Sequence, residues 1–179
     1  MRIVAGEFGG RPLKTLEGKT TRPTSDKVRG AIFNMIGPYF TGGRALDLFA
    51  GSGGLAIEAV SRGIAEAVLV EKDRKAQAVI NANIKMTQKA KQFRLIKKTA
   101  AQAVKELTGC FDLVFLDPPY AKEEIVQNIT VMEAEGLLAE GAVLVCETEK
   151  TVVLPETIGT IRMWKQKKYG ISKVTVYVK

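Results

Sequence analysis

The sequence predicts a doubly wound α/β fold, with a mostly parallel sheet, a C-terminal antiparallel strand pair and a small N-terminal extension made of a hairpin and a helix. Three observations carry this expectation. From Ala45 onward, short apolar runs alternate with helical stretches, the pattern of parallel strands joined by crossover helices. The runs are apolar enough to be covered on both faces. Residues 160–165 and 172–178 then break the alternation as two strand-like runs around Tyr169-Gly170, which predicts an antiparallel pair at the sheet end.

Taken in order, residues 1–40 form the extension and residues 41–179 the main domain. Arg2 to Ala5 and Pro12 to Thr15, around Gly9-Gly10, read as a hairpin. A helix follows from Thr24: Thr24 or Ser25 can cap it, Val28, Ala31, Ile32, Met35 and Ile36 recur at helical spacing, and Gly37-Pro38 stops it. Strands are expected at 45–49, 67–71, 93–96, 111–116 and 142–147. Helices are expected at 53–62, 73–86, 100–107 and 123–135, with Asp73 as a cap. No repeat, low-complexity tract or linker divides the chain.

Composition narrows the chemistry. The 179 residues are 46% hydrophobic and 26% charged, the balance of one globular domain. The longest stretch free of charge, residues 30–43, is 14 residues long, too short for a membrane helix. Histidine is absent, which removes serine triads, cysteine-histidine pairs and the common zinc sites, so no metal is expected. The two cysteines, Cys110 and Cys146, form no spaced cluster, and Arg2 and Glu7 flank no secretory run. A reduced cytoplasmic setting is the expectation. No lysine follows a glycine loop as a Walker motif requires, so nucleotide hydrolysis is not expected.

The net charge of +8 is unevenly placed. Residues 1–40 carry +4 and residues 150–179 carry +6, around a middle at −2. Basic ends suit a polyanion if the fold brings them to one face; the plainer reading is a basic soluble surface.

Asp47-Leu48-Phe49-Ala50-Gly51-Ser52-Gly53-Gly54-Leu55-Ala56 joins a strand to a helix through glycines. Backbone N–H groups and a helix start then face the carboxyl edge of the sheet, where ligands of such sheets bind. Gly51-x-Gly53-x-x-Ala56 also satisfies the dinucleotide fingerprint, and Glu71, twenty residues after Gly51, can accept both hydrogen bonds of a ribose diol. Asp47 decides between cofactors. A carboxylate before the loop would repel a pyrophosphate but favours the ammonium and sulfonium cations of S-adenosylmethionine. The structural alternatives are a loop cap for Asp47, an exposed strand-end acid for Glu71 and plain packing for Phe49, which lies close to the cofactor in the functional reading.

The sharpest signal follows the fourth strand: Asp117-Pro118-Pro119-Tyr120. Two prolines remove two donors and hold the chain extended, leaving carbonyls outward as acceptors. With the Asp117 carboxylate they can take both hydrogens of an exocyclic amine, whose lone pair is otherwise delocalised into the ring. Positioning and electrostatics can then supply most of the rate. Tyr120 offers a face for a flipped base. Neither cysteine adjoins this segment, so a covalent pyrimidine adduct has no nucleophile.

With these residues in view, the chain resembles the bacterial 16S ribosomal RNA guanine-N2 methyltransferases, which have a Rossmann-like class I methyltransferase fold. The resemblance runs through Met1-Arg2-Ile3-Val4-Ala5-Gly6, Arg22-Pro23-Thr24-Ser25-Asp26-Lys27-Val28-Arg29, Asp47 to Gly54, Glu58-Ala59, Ser61-Arg62-Gly63 and Phe115 to Tyr120. The Arg-Pro-Thr segment is the discriminating one, because the other motifs recur among amino-group methyltransferases. The resemblance implies S-adenosylmethionine as donor, transfer to a guanine N2 of the guanine-966 type, and 16S rRNA or an assembling small subunit as partner; the sequence leaves the oligomeric state open, a monomer being the simpler expectation. It implies that Asp47, Gly51, Gly53 and Glu71 bind the cofactor, with Phe49 beside it by its place in the loop, and that Asp117, Pro118 and Tyr120 hold the guanine. Arg22, Thr24, Asp26 and Arg29 would close the site or touch RNA, with plain capping and surface charge as the alternative; from the placement of charge, Lys165, Lys167 and Lys168 of the basic tail would contact RNA phosphate. One departure stands out: the third strand leads into Lys97-Lys98-Thr99-Ala100, where the family often carries an acid near adenine. Thr99 or the Ala100 N–H is the substitute contact.

Three rival readings share these motifs. A DNA adenine-N6 methyltransferase would use the same tetrapeptide but usually needs a separate target-recognition segment. A noncatalytic RNA-binding module or a nicotinamide-dependent oxidoreductase would keep only the fold or the glycine loop.

Overall fold

The computed structural model describes residues 1–17, 24–119 and 121–179. Its centre is an eight-stranded sheet in the order β3-β2-β1-β4-β5-β8-β7-β6. The strands are β1 (Arg44–Asp47), β2 (Glu66–Val70), β3 (Phe93–Ile96), β4 (Phe111–Leu116), β5 (Leu138–Glu149), β6 (Thr157–Ile158), β7 (Ile161–Tyr169) and β8 (Ser172–Val178). The first five are parallel; β8 runs antiparallel between β5 and β7, and β6 and β7 also pair antiparallel. The strand order reverses between β1 and β4, so a crevice opens beyond their carboxyl ends.

Helices α1 (Asp26–Ile36), α2 (Gly54–Ser61), α3 (Arg74–Thr87), α4 (Ala100–Glu106) and α5 (Ala121–Ala134) cover the two faces. Strand side chains alternate between the faces. Leu46, Val114, Leu116, Leu144 and Cys146 pack with Val104, Ile125 and Ile129 of α4 and α5. Ala45, Phe115, Val145, Val174 and Val176 pack with Ile32 and Phe33 of α1, Ile57 of α2 and Ile80 of α3. Local chemistry sets the helix ends as the sequence predicts: Ser25 accepts from Val28 N–H to start α1, and Asp73 accepts from Ala76 N–H to start α3.

The amino-terminal extension joins this second core through Ile3, Phe8 and Leu13. The expected hairpin shrinks to one antiparallel bridge, Arg2 with Pro12. Its physical cause is competition: the Val4 and Ala5 amides donate instead to the two oxygens of Glu58, at 2.9 and 3.1 Å. Glu58 is fully buried, and both Arg29 (3.4 Å) and Arg62 (2.9 Å) pair with it. Ser61 completes the clamp, accepting from Phe8 N–H and donating to the Ala5 carbonyl. Gly6 lies so close to this helix end that a Cβ there would stand 1.9 Å from the Ser61 carbonyl oxygen. The helical motif Glu58, Ser61 and Arg62 is therefore the dock for the extension. At the other end of the chain, β5 and β7 are longer than the runs that predict them, and β6 is an added two-residue strand.

Candidate active site

The parallel strands present their carboxyl ends along one edge, and acids stand on or just beyond four of them. Asp47 ends β1 and is 2% exposed. Its Oδ1 accepts the Phe49 N–H at 3.3 Å. Burial strips water from this carboxyl, the Phe49 N–H offsets part of the loss, and the Glu71 carboxylate adds repulsion; together they push it up to about 7. No Lys or Arg among the described residues pairs with it.

From Asp47 the chain turns through the glycine loop into α2. Gly53 caps that helix in the left-handed region, and a Cβ there would come within 3.1 Å of the Leu69 side chain. A Cβ on Gly51 would meet nothing within 4 Å, so the loop is open on that side. Glu71, just past β2, accepts the Gly51 N–H at 2.9 Å through Oε2 and the Asp73 N–H at 3.0 Å through Oε1. It thus braces the loop, and each oxygen keeps acceptor capacity. Phe49 is half-buried against the α4–α5 core.

Thr99 and Ala100 follow β3. Thr99 forms a capping box with Gln102, its hydroxyl accepting the Gln102 N–H at 3.2 Å; Ala100 is buried. The hydroxyl expected near adenine is thus also the start signal of α4. A buried carboxyl without a cation, an open loop surface and a strand-end carboxylate with spare lone pairs fit a ligand bearing a cationic head and a ribose diol.

Asp117 leaves β4 beside this loop, since β1 and β4 are neighbours in register. Pro118 is buried and Pro119 exposed. The Asp117 carboxyl is pushed upward by loss of hydration first, and then by the carboxylates of Glu147 and Asp47. Because the residue is exposed, water tempers that rise. Glu147 was not among the expected site residues. It sits on β5 one position past Cys146, which pairs with Leu116. The signal was available: the apolar run Val143-Leu144-Val145-Cys146 ends in an acid, as the first and fourth strands do.

Thr24 reaches this edge from the extension, its Oγ1 donating to Glu147 Oε2 at 2.7 Å. Arg29 does not, which corrects its assignment as an RNA contact. It is 1% exposed, and its guanidinium bonds Glu58, Asp26, the Thr24 carbonyl and the Arg2 carbonyl. Asp26 likewise accepts from Arg29 and from the Arg2 N–H, which ties the extension to α1, and its side chain is exposed. Arg22 and Tyr120 lie outside the described residues.

The three tail lysines are exposed on β7 but do not share a face. Lys165 and Lys167 pair with Val176 and Val174 and so face the α1 side, whereas Lys168 pairs with Lys173. Lys165 donates to the Met35 carbonyl at 3.0 Å. Asn83 was also missed: its side-chain amide donates to the Ser52 carbonyl of the glycine loop (2.8 Å) and to the Lys14 carbonyl (3.0 Å).

Comparison with known proteins agrees with this architecture. A Streptococcus pyogenes structure described as a conserved hypothetical protein is 67% identical, covering 85% of this chain and 95% of that one, with a TM-score of 0.82. A Bacillus subtilis protein provisionally named as an rRNA methyltransferase, YlbH, is 43% identical over 100% of this chain and 99% of its own length. Ribosomal RNA small subunit methyltransferase D of Escherichia coli is 33% identical, over 95% of this chain and 85% of that protein. A more distant structure, described as a methyltransferase complexed with S-adenosylhomocysteine, shares the fold at a TM-score of 0.69 and 13% identity. The family model "Conserved hypothetical protein 95" matches residues 1–178. The chain therefore belongs to that family, alongside the small subunit methyltransferases D to which it is similar over nearly its whole length.

Proposed function

We propose that this protein is an S-adenosylmethionine-dependent rRNA methyltransferase that modifies the exocyclic N2 of one guanine in 16S rRNA, of the guanine-966 type, with the assembling small subunit as its substrate. The observation that carries the reading is Asp117-Pro118-Pro119 at the carboxyl end of β4, one strand from Asp47 and the glycine loop. When bound, S-adenosylmethionine supplies an electrophilic methyl carbon on a sulfonium.

The chain's own residues do the rest. Asp47 receives positive charge, which relieves the cost of its burial, and Glu71 accepts from the ribose while bracing the loop. The Asp117 carboxylate and the Pro118 carbonyl accept the two amine hydrogens, which aims the nitrogen lone pair and opposes its delocalisation. Asp117 Oδ also takes the proton that the amine must lose, a task suited to a carboxyl whose affinity for protons is raised. Tyr120 supplies a stacking face, and exposed Lys167 supplies positive charge on the α1 side.

Mass spectrometry of rRNA nucleosides from a deletion strain tests this directly. N2-methylguanosine should fall by one residue per small subunit and return when wild-type protein and labelled donor are added. Asp117→Ala should restore none of it while still binding S-adenosylhomocysteine. An undiminished N2-methylguanosine content in the deletion strain would refute the reading.

A further inference from the structure

Resting on that reading, we infer that the α1-side face of β7 binds unpaired RNA next to the target guanine, with Trp164 and Tyr169 stacking on bases and Lys165 and Lys167 meeting phosphates. Residues 164–168 are all exposed, so this stretch of the sheet is uncovered. Cross-strand pairing sets Lys165 against Val176 and Lys167 against Val174, both of the α1-side core, which puts the two lysines on that face. Trp164 falls between the Met163–Tyr177 and Lys165–Val176 pairs as the extra residue of a bulge, a feature that re-aims a side chain. The Lys165 ammonium lies 4.0 Å from the centre of its ring, so the indole stands beside that lysine, yet 52% of Trp164 remains exposed. Two residues past Lys167, Tyr169 packs against the same core, its ring centre 5.5 Å from the Lys167 ammonium. Aromatic rings and cations thus alternate along about 16 Å of strand.

The stripe leads to the site. β7 runs parallel to β5, because both are antiparallel to the β8 between them, and its carboxyl end therefore lies at the same edge as the Asp117 segment. Lys167 and Glu147 both pair with Val174, which sets Lys167 level with the end of β5 and about 10 Å from it. Nucleotides flanking a guanine held by Asp117 are within reach. Paired bases show only their edges, whereas unpaired bases show faces that can stack on an exposed ring whatever the base. A hollow of about 380 Å³ beside Trp164, lined by Glu156, Arg162 and Lys165 among others, leaves room for a base against the indole. Residues 150–179 carry +6, and among the described residues no carboxylate pairs with Lys165 or Lys167. That charge is complementary to a polyanion.

Trp164 is the sole tryptophan of the chain, so its fluorescence reports on this surface alone. Titrating the full-length protein with a single-stranded RNA of about ten nucleotides should quench that emission, and the same RNA annealed to its complement should quench far less. Measured by anisotropy of labelled RNA, Trp164→Leu and Tyr169→Leu should each weaken binding about tenfold, with affinity for S-adenosylhomocysteine unchanged. Lys167→Gln should flatten the salt dependence by about 0.7 in log–log slope, whereas Lys168→Gln, on the opposite face of the same strand, should not move it. RNA bound without quenching, equal quenching by the duplex, or wild-type RNA affinity in Trp164→Leu would overturn the inference. Quenching by RNA-free small-subunit proteins but not by RNA would overturn it in favour of a protein partner. If the deletion strain keeps its N2-methylguanosine while RNA still quenches Trp164, the proposed function fails and the RNA surface stands; if the RNA is methylated and Trp164→Leu binds it like wild type, only this inference fails.

Discussion

Two groups of acids lie in this molecule, and they are treated in opposite ways. Glu58 is sealed inside the dock for the extension, where two arginines and two backbone amides meet its oxygens. Asp47 is sealed almost as well, yet among the described residues its one hydrogen bond is to a neighbouring backbone N–H, and the charge that acts on it is another carboxylate, Glu71. A buried acid matched by cations holds a fold together; a buried acid among acids raises the free energy of the empty protein and lowers it when positive charge arrives. The contrast separates scaffold from site without reference to any relative.

The largest effect should come from breaking the satisfied group. Glu58→Ala leaves Arg29 and Arg62 buried without their carboxylate, and urea denaturation should show a loss of about 3–5 kcal/mol. A loss below 1 kcal/mol would mean that the extension is held by its apolar contacts and the Ser61 hydrogen bonds without help from Glu58.

Next is the acid that serves both purposes. Glu71→Ala removes the brace on Gly51 and the acceptor for the ribose, and titration calorimetry with S-adenosylhomocysteine should show about 1–3 kcal/mol weaker binding. An unchanged affinity would remove Glu71 from the cofactor site.

The smallest and most diagnostic effect is in pH. With its pKa raised to about 7, folded Asp47 keeps a proton that the unfolded chain has already lost above the ordinary carboxylate range. The stability it contributes is therefore full below about 4 and is lost as pH rises toward 7. Asp47→Asn should raise the Tm of the empty protein at pH 8 and leave it nearly unchanged at pH 4. A bound cation reverses the preference, so wild-type affinity for S-adenosylmethionine should climb between pH 6 and 7.5 and then level off. A flat affinity profile, or a lower Tm in the asparagine variant at pH 8, would break the contrast with Glu58.

Much of this was legible in the sequence, for physical reasons that differ by element. The strands of the parallel sheet announce themselves because burial on both faces demands apolar runs, and β3 and β4 begin and end where the runs do. Asp47, Gly51, Glu71 and Asp117 could be placed at the carboxyl edge because a strand end followed by glycine, proline or a helix cap leaves little ambiguity about which edge is meant. Arg29 misled because a charged helix residue reads as surface, and only the fold reveals that Glu58, twenty-nine residues later, waits opposite it. Glu147 was overlooked for a related reason: its neighbour Asp117 is set by strand register, a long-range quantity that no local pattern encodes. The hairpin is shortened rather than lost: Ile3 and Leu13 amides still bond across its arms, while the Ala5 amide, next in line to extend the pairing, donates to Glu58 on α2.

The placement of β8 has a consequence for how the chain reaches its native form. It lies between β5 and β7 and bonds both, yet it is synthesised after either of them. Until it emerges, β5 has an open edge, and the β6–β7 ribbon lacks the strand that joins it to the rest of the sheet. A nascent chain therefore passes through a stage in which its parallel half can be complete while two strand borders stay exposed, and that interval is when chaperones would have most to hold.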